Sequence, residues 1–318
     1  MRKHNLLKVH PSIHDARIDH ASVVTIGTFD GVHAGHLEII RQITDQAKTS
    51  GMQSVILTFF PHPRMVIGAP GGIKLLNTLD ERIALLARTD LDHLIVHPFD
   101  SEFASLEPEA FVSEVLVKAL KAKMVIVGHD HRFGKDRKAG YQDLVGFGSK
   151  HGFEVSQIEA EKIDNVAVSS TKIRTALELG DIALANRYLG YPYRLTGQVV
   201  KGKQLGRTLG YPTANIKVAE DYKLIPRHGV YLVRAQIDGV RRYGVMNIGT
   251  RPSVPGSGVS IEVYFIDFTD DLYFQELTLE ILDWIRPETK FGSIELLKEG
   301  IAADVAIARK MIERMGAG

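Results

Sequence analysis

At 318 residues, with 44% hydrophobic and 24% charged residues, the chain holds enough material for two globular cores and is too apolar for a disordered polymer. Its formal net charge of +1 lacks the basic excess of a protein that tracks a nucleic-acid backbone, although small-molecule phosphate sites need only a few placed groups. The absence of cysteine excludes disulfides, thiolate metal sites and a cysteine nucleophile.

Residues 1–8 lack the apolar core of a signal peptide, since His10, Pro11 and His14 interrupt it, and no apolar run approaches bilayer length. A soluble cytoplasmic protein is expected, with no membrane and no nucleic-acid partner. Short apolar runs at 23–27, 54–58, 93–96 and 124–127, with a weaker one at 152–155, predict buried strands. Helical patterns at 37–50, 79–88, 108–120 and 141–150 alternate with them, and that alternation predicts an α/β unit built on a parallel sheet. Two more helices are expected at 171–179 and 181–189, each closed by a glycine, Gly180 and Gly190.

After Tyr191-Pro-Tyr-Arg194 the texture changes. Runs at 195–201, 229–237, 242–248, 260–268 and 277–285, separated by Gly and Pro turns, predict an antiparallel β-barrel. Ile294, Leu297, Ile301, Val305 and Ile312 recur at helical spacing and predict a terminal helix over 293–315. A domain boundary is expected near Gly190, giving domains 1–190 and 191–318.

The first predicted strand ends at Gly27 and runs into Thr28-Phe-Asp-Gly-Val-His-Ala-Gly-His36 before a helix. The C-terminal end of a parallel strand faces the ligand crevice of open α/β sheets, and the following helix N-terminus offers free N–H groups to an anion. Gly35 lets a phosphate approach the backbone. His33 and His36, three apart, can donate to phosphoryl oxygens as charge builds during in-line attack. Singly, Asp30-Gly31 is an ordinary turn and a histidine an ordinary surface or core residue. Farther on, Ser169-Ser-Thr-Lys-Ile-Arg174 reads either as an N-cap or as a phosphate clamp, and the local pattern leaves both open.

The two stretches together resemble the nucleotidyltransferase superfamily that transfers AMP from ATP. With Phe60-Pro-His-Pro63 and Val127-Gly-His-Asp-His-Arg-Phe-Gly134 they resemble its bacterial FAD synthetase branch. That resemblance implies a Rossmann-like nucleotidyltransferase domain in which FMN phosphate attacks the ATP α-phosphorus and pyrophosphate leaves. It implies catalytic roles for His33, His36 and Arg174. Nucleotide or flavin contacts are implied at Gly27, Thr28, Phe29, Asp30, Gly35, Asp130, Ser169, Ser170 and Thr171. Phe60 stands where many members carry a polar residue, so a kinase with a weak or inactive adenylyltransferase half is the alternative reading.

In the second half, Lys201-Gly-Lys-Gln-Leu-Gly-Arg-Thr-Leu-Gly-Tyr-Pro-Thr-Ala-Asn215 is the most specific segment. Gly202, Gly206 and Gly210 read as a flexible loop able to wrap a nucleotide, or as a glycine-rich hairpin with a surface Asn. Pro212 stiffens an extended stretch in which Thr213 and Asn215 share one side, offering hard oxygen donors suited to Mg²⁺. On the strand at 260–268, Ile261, Val263 and Phe265 share one face and Glu262 the other. The string resembles the riboflavin kinase signature, which implies an antiparallel barrel kinase with Mg²⁺ on Thr213 and Asn215 and Glu262 as catalytic base. It also implies nucleotide contacts around Gly202, Gly206, Arg207, Gly210 and Tyr273, and a flavin bordered by Arg286 and Phe291. Taken together, the resemblances imply a bifunctional enzyme with ATP as co-substrate at both sites and riboflavin, FMN and FAD as substrates and products. A flavin-sensing or RNA-binding regulator on the same fold is a rival, opposed by the near-neutral charge and by intact Thr213, Asn215 and Glu262.

Overall fold

A computed structural model describes residues 6–68, 72–129, 131–159, 162–163, 166–202, 205–250 and 258–316. The chain divides into two compact units, Met1–Ser170 and Thr171–Gly318.

The first unit is a six-stranded parallel sheet of β1 (Lys8–His10), β2 (Ser22–Ile26), β3 (Gln53–Phe59), β4 (His93–His97), β5 (Ala122–Gly128) and β6 (Glu154–Ile158). The strand order is β1-β4-β3-β2-β5-β6, every pair parallel. Helices α1 (Ala34–Ser50), α2 (Pro63–Val66), α3 (Leu79–Leu86), α4 (Ser101–Ala104), α5 (Pro108–Ala110) and α6 (Tyr141–His151) connect them. A small hairpin, β7 (Lys162–Ile163) with β8 (Val166–Ala167), follows. Val23, Val24, Val55, Ile56, Leu57, Leu94 and Ile95 are buried, as strands covered on both faces require. The helix expected over 108–120 forms as α5 continued by a π-helix, Phe111–Ala119, which sinks Phe111, Val112, Val115 and Leu116 into the core.

The second unit opens with α7 (Ser170–Leu179) and α8 (Ile182–Leu189). Its barrel comprises β9 (Tyr193–Val200), β10 (Ala214–Lys217), β11 (Gly229–Ile237), β12 (Val240–Thr250), β13 (Val259–Phe265) and β14 (Glu276–Pro287), with α9 (Leu205–Thr208) between β9 and β10. The barrel closes in the order β10-β13-β12-β11-β14-β9 through antiparallel β9–β10 pairing. Helix α10 (Ile294–Gly316) covers part of its outer face, where Ala308 meets Val230, Leu232 and Val245. Thus a parallel α/β unit precedes an antiparallel barrel with a terminal helix, the architecture expected from the sequence.

The division between the compact units falls at the first residue of α7, whereas the change in texture falls after α8. The two helices are tied to the barrel side: Asn186 donates from Nδ2 to Ile281 O at 2.9 Å and accepts from Tyr193 N at 2.7 Å. Arg227 N also donates to Leu177 O at 3.1 Å. A helix-to-strand change in sequence marks where the barrel strands begin, and helices that pack on the barrel can precede it.

Candidate active sites

Strand β2 lies between β3 and β5, where successive strands stop adding to one side of the sheet and begin on the other. The turn after β2 therefore stands at the switch point where α/β sheets bind ligands. Helix α1 begins at Ala34, three residues before the expected start, because His33 caps it. His33 Nδ1 accepts from His36 N at 3.4 Å, and His36 Nδ1 accepts from His33 N at 3.3 Å. With both Nδ1 atoms accepting, each neutral ring carries its hydrogen on Nε2 and offers one donor. The rings stack with centroids 3.6 Å apart. Burial pushes the His36 imidazole well below its ordinary range, and competition with the stacked His33 for a proton and the nearby Arg82 charge push it the same way. His36 is therefore a neutral N–H donor, and Gly35 lies beside it in the first turn, where the helix dipole favours an anion.

Other predicted residues serve the turn itself. The Asp30 carboxylate accepts from Leu76 N at 2.9 Å and Asn77 N at 3.4 Å, and Asp30 O accepts from Ser170 Oγ at 2.8 Å. Thr28 O accepts from Arg82 Nη1 at 2.6 Å. Phe29 is buried, tilted against His36 at 4.9 Å, and fills the space that a side chain at Gly27 would need. Ser170 begins α7, and Thr171 and Arg174 follow on its first turns. Asp130 lies outside the described residues.

In the second unit the barrel register aligns the predicted groups in one row. Asn215 on β10 is paired with Glu262 on β13, and Glu262 with Asn247 on β12. Asn247 is paired with Val230 on β11, and Val230 with Arg286 on β14. Directly paired residues share a face, so Asn215, Glu262, Asn247 and Arg286 stand along one outer face of the barrel. Three inter-strand steps of ~4.8 Å put Arg286 roughly 14 Å along the sheet from Glu262. The opposite face of β13 is core: Ile261, Val263 and Phe265 are buried. Thr213 Oγ1 donates to Glu262 Oε2 at 3.3 Å.

The glycines around this row have separate tasks. A Cβ at Gly202 would stand 2.3 Å from Asn215 Nδ2, and one at Gly206 would stand 2.3 Å from Tyr211 O. Both are required by close approach, a stricter demand than the loop flexibility suggested by their spacing. Gly210, at φ +86°, occupies the left-handed region that glycine adopts without strain. A cleft is lined by Arg207, Thr213, Asp270, Asp271 and Tyr273 over apolar Val263 and Phe265. Arg286 is held by Asp304 of α10 through Nε at 2.7 Å and Nη2 at 2.8 Å, and its guanidinium lies 5.5 Å from the Phe291 ring centre. Phe291 in turn packs where a side chain at Gly300 would stand.

Two residues joined to these sites were not singled out in the sequence. Asn247 is carried beside Glu262 by strand register between segments far apart in sequence. Arg82 is 2% exposed and shares the buried side of α3 with Leu85 and Leu86. A charged residue on an apolar helical stripe was the signal available there.

Residues 15–172 match the FAD synthetase family, and residues 189–312 match the riboflavin kinase family. A bifunctional riboflavin kinase/FMN adenylyltransferase from Pseudomonas fluorescens is 38% identical over 301 residues, covering 94% of this chain and 96% of the relative. The protein of that name from Escherichia coli is 36% identical over 289 residues, covering 91% and 92%. Among solved structures, one described as a macrolide-efflux protein from Streptococcus pneumoniae superposes with a TM-score of 0.87 at 31% identity, covering 96% of this chain and 99% of that one. Among the described residues of this chain no helix is long and apolar enough to cross a membrane.

Proposed function

The chain belongs to the family of bifunctional riboflavin kinase/FMN adenylyltransferases, and on that premise we propose how its residues divide two reactions. It phosphorylates riboflavin to FMN with ATP, then transfers AMP from a second ATP to FMN, giving FAD and pyrophosphate. Matches to both families, in relatives aligned over nearly their whole length, support this reading over a kinase with an idle first half.

The observation that carries the kinase assignment is the row Asn215–Glu262–Asn247–Val230–Arg286. Its order suits the substrates, with the phosphate end at Asn215, the base at Glu262 and the flavin ring toward Arg286 and Phe291. Glu262 takes the proton from the ribityl 5′-hydroxyl as that oxygen attacks the γ-phosphorus and ADP leaves. Thr213 and Asn215 contribute two neutral hard-oxygen donors beside a carboxylate, a set that would hold Mg²⁺ and leave its other positions to water and phosphate oxygens. That Asn215 lies in a space only a glycine at 202 leaves open supports a built ligand position. When bound, Mg²⁺ neutralises phosphate charge. Arg207, Tyr273 and the glycine segment serve the nucleotide.

In the first half, Nε2–H groups of His33 and His36 donate to phosphoryl oxygens while FMN phosphate attacks the α-phosphorus. The α1 N-terminus adds backbone donors around Gly35. Ser169, Ser170, Thr171, Arg174 and Asp130 are assigned to phosphate or flavin contacts, so residues 1–190 serve adenylyl transfer and 191–318 the kinase. We place the enzyme in the cytoplasm, working on small molecules with no nucleic-acid or membrane partner. The test is purified protein with riboflavin, Mg²⁺ and ATP, products separated by chromatography. FMN and FAD are both expected; FMN alone would select the kinase-only alternative, and no turnover would select a regulator.

A further inference from the structure

The turn bearing His33 and His36 is held in a conformation that its residues resist. Phe29 has φ 49° and Val32 φ 36°, on either side of Gly31 at φ 90°. Positive φ is uncommon for a bulky side chain and an outlier for a β-branched one, so surrounding contacts must impose it. Helix α3 and the residues leading into it supply two such contacts. The Asp30 carboxylate reaches Leu76 N and Asn77 N, just before Thr78 caps α3. From α3, Arg82 Nη1 donates to Thr28 O at 2.6 Å, Thr58 Oγ1 at 3.1 Å and Phe59 O at 3.4 Å. An arginine 2% exposed must be offset by polar contacts, and the three acceptors that Nη1 reaches lie at the C-terminal ends of β2 and β3, on the crevice rim.

We propose that Arg82 is a positioning residue for adenylyl transfer: it clips the ends of β2 and β3 together and holds the Thr28–Val32 turn so that His33 and His36 keep their reciprocal caps at the nucleotide phosphates. The inference rests on the adenylyl-transfer reading of the first unit. Arg82 also acts through its charge. His36 is faced by the stacked His33, the Phe29 ring and the Arg82 guanidinium, while the Asp30 carboxylate is turned to the α3 lead-in. Burial is the main influence on His36, and Arg82 adds to it by disfavouring a second positive charge. Without Arg82, His36 protonates at higher pH.

The experiment compares Arg82→Met and Arg82→Lys with the unaltered chain, measuring kcat and KM for FAD formation from supplied FMN and ATP from mildly acidic to neutral pH. Hydrogen exchange of strands β2 and β3 in the same samples is the control for folding of the first unit, and riboflavin phosphorylation is the control for the second. Arg82→Met is expected to lower kcat for FAD formation roughly 100-fold, the scale of a misplaced reacting group, and to move the acid limb of the profile to higher pH. Arg82→Lys keeps the charge without the planar fork, so it lowers kcat but leaves the limb in place. FAD formation by Arg82→Met with unaltered kcat and acid limb overturns the role of Arg82 while leaving the adenylyl-transfer reading intact. Loss of exchange protection across β2 and β3 alongside adenylyl transfer in both variants also overturns it, since the residue would then serve stability alone. An unaltered chain that makes no FAD overturns both.

Discussion

Glu262 and Asn215 stand opposite one another on neighbouring antiparallel strands, and Thr213, two residues before Asn215, donates a 3.3 Å hydrogen bond to the Glu262 carboxylate. Barrel closure thus places the base assigned to the kinase beside both groups assigned to its metal. Glu262→Gln retains the volume and an acceptor for Thr213 but no longer accepts a proton. FMN formation should fall by roughly 10²–10⁴-fold, the usual worth of a general base, while supplied FMN is still converted to FAD. Chromatography of both reactions checks this, and loss of the two together would show that the sites are not separable.

The contact between Gly202 and Asn215 offers a subtler test. In Gly202→Ala the new methyl would stand 2.3 Å from Asn215 Nδ2 and 2.8 Å from its Oδ1, and Asn215 is only 6% exposed. Overpacking of this kind costs about 1–3 kcal/mol. Because the displaced group is a proposed Mg²⁺ ligand, the Mg²⁺ concentration for half-maximal phosphorylation should rise by about tenfold or more, by the ~1.4 kcal/mol per decade rule. Adenylyl transfer should be unaltered. A Mg²⁺ titration of the kinase rate with no shift would remove Asn215 from the metal site.

His36→Ala removes one ring of the stacked pair and half of the reciprocal cap at once. Loss of a transition-state donor lowers turnover by about 10²–10³-fold. FAD formation should fall by that order while riboflavin phosphorylation continues. FAD output equal to that of the unaltered chain would take His36 out of the mechanism.

Much of this arrangement is legible in the sequence, and what is not legible there has physical causes. The buried strands β2 to β5 announce themselves as apolar runs, whereas β1 is three residues long and β10 four, too short for a period to form. The start of α1 was misplaced by three residues because histidine is not among the preferred N-caps, and only the reciprocal Nδ1 bonds show it acting as one. The partnership of Glu262 with Asn215 and Asn247 depends on strand register between segments far apart in sequence, which local patterns do not encode. Asp30 has the composition of a turn residue, but that its carboxylate is engaged by Leu76 and Asn77 follows only from packing.

Acid should weaken the first unit selectively, through His93. This residue is fully buried on β4, its Nδ1 lies 2.9 Å from His10 Nε2 on the edge strand β1, and its own Nε2 has no hydrogen-bond partner. Burial pushes the His93 pKa down to about 4, with the charges of His10 and Lys8 acting in the same direction, and burial lowers His10 as well. A histidine depressed below its ordinary 6.5 binds fewer protons folded than unfolded, so its contribution is intact above pH 6.5 and is lost as pH falls toward about 4. For His93 the loss is on the order of 3 kcal/mol. The second unit contains one histidine, His228, and the chain's only tryptophan, Trp284, packed against Tyr231. Urea unfolding followed by Trp284 fluorescence should therefore move little across this window, while hydrogen exchange of β1 and β4 accelerates. His93→Gln should flatten the pH dependence of that exchange; an unchanged slope would place the acid sensitivity elsewhere.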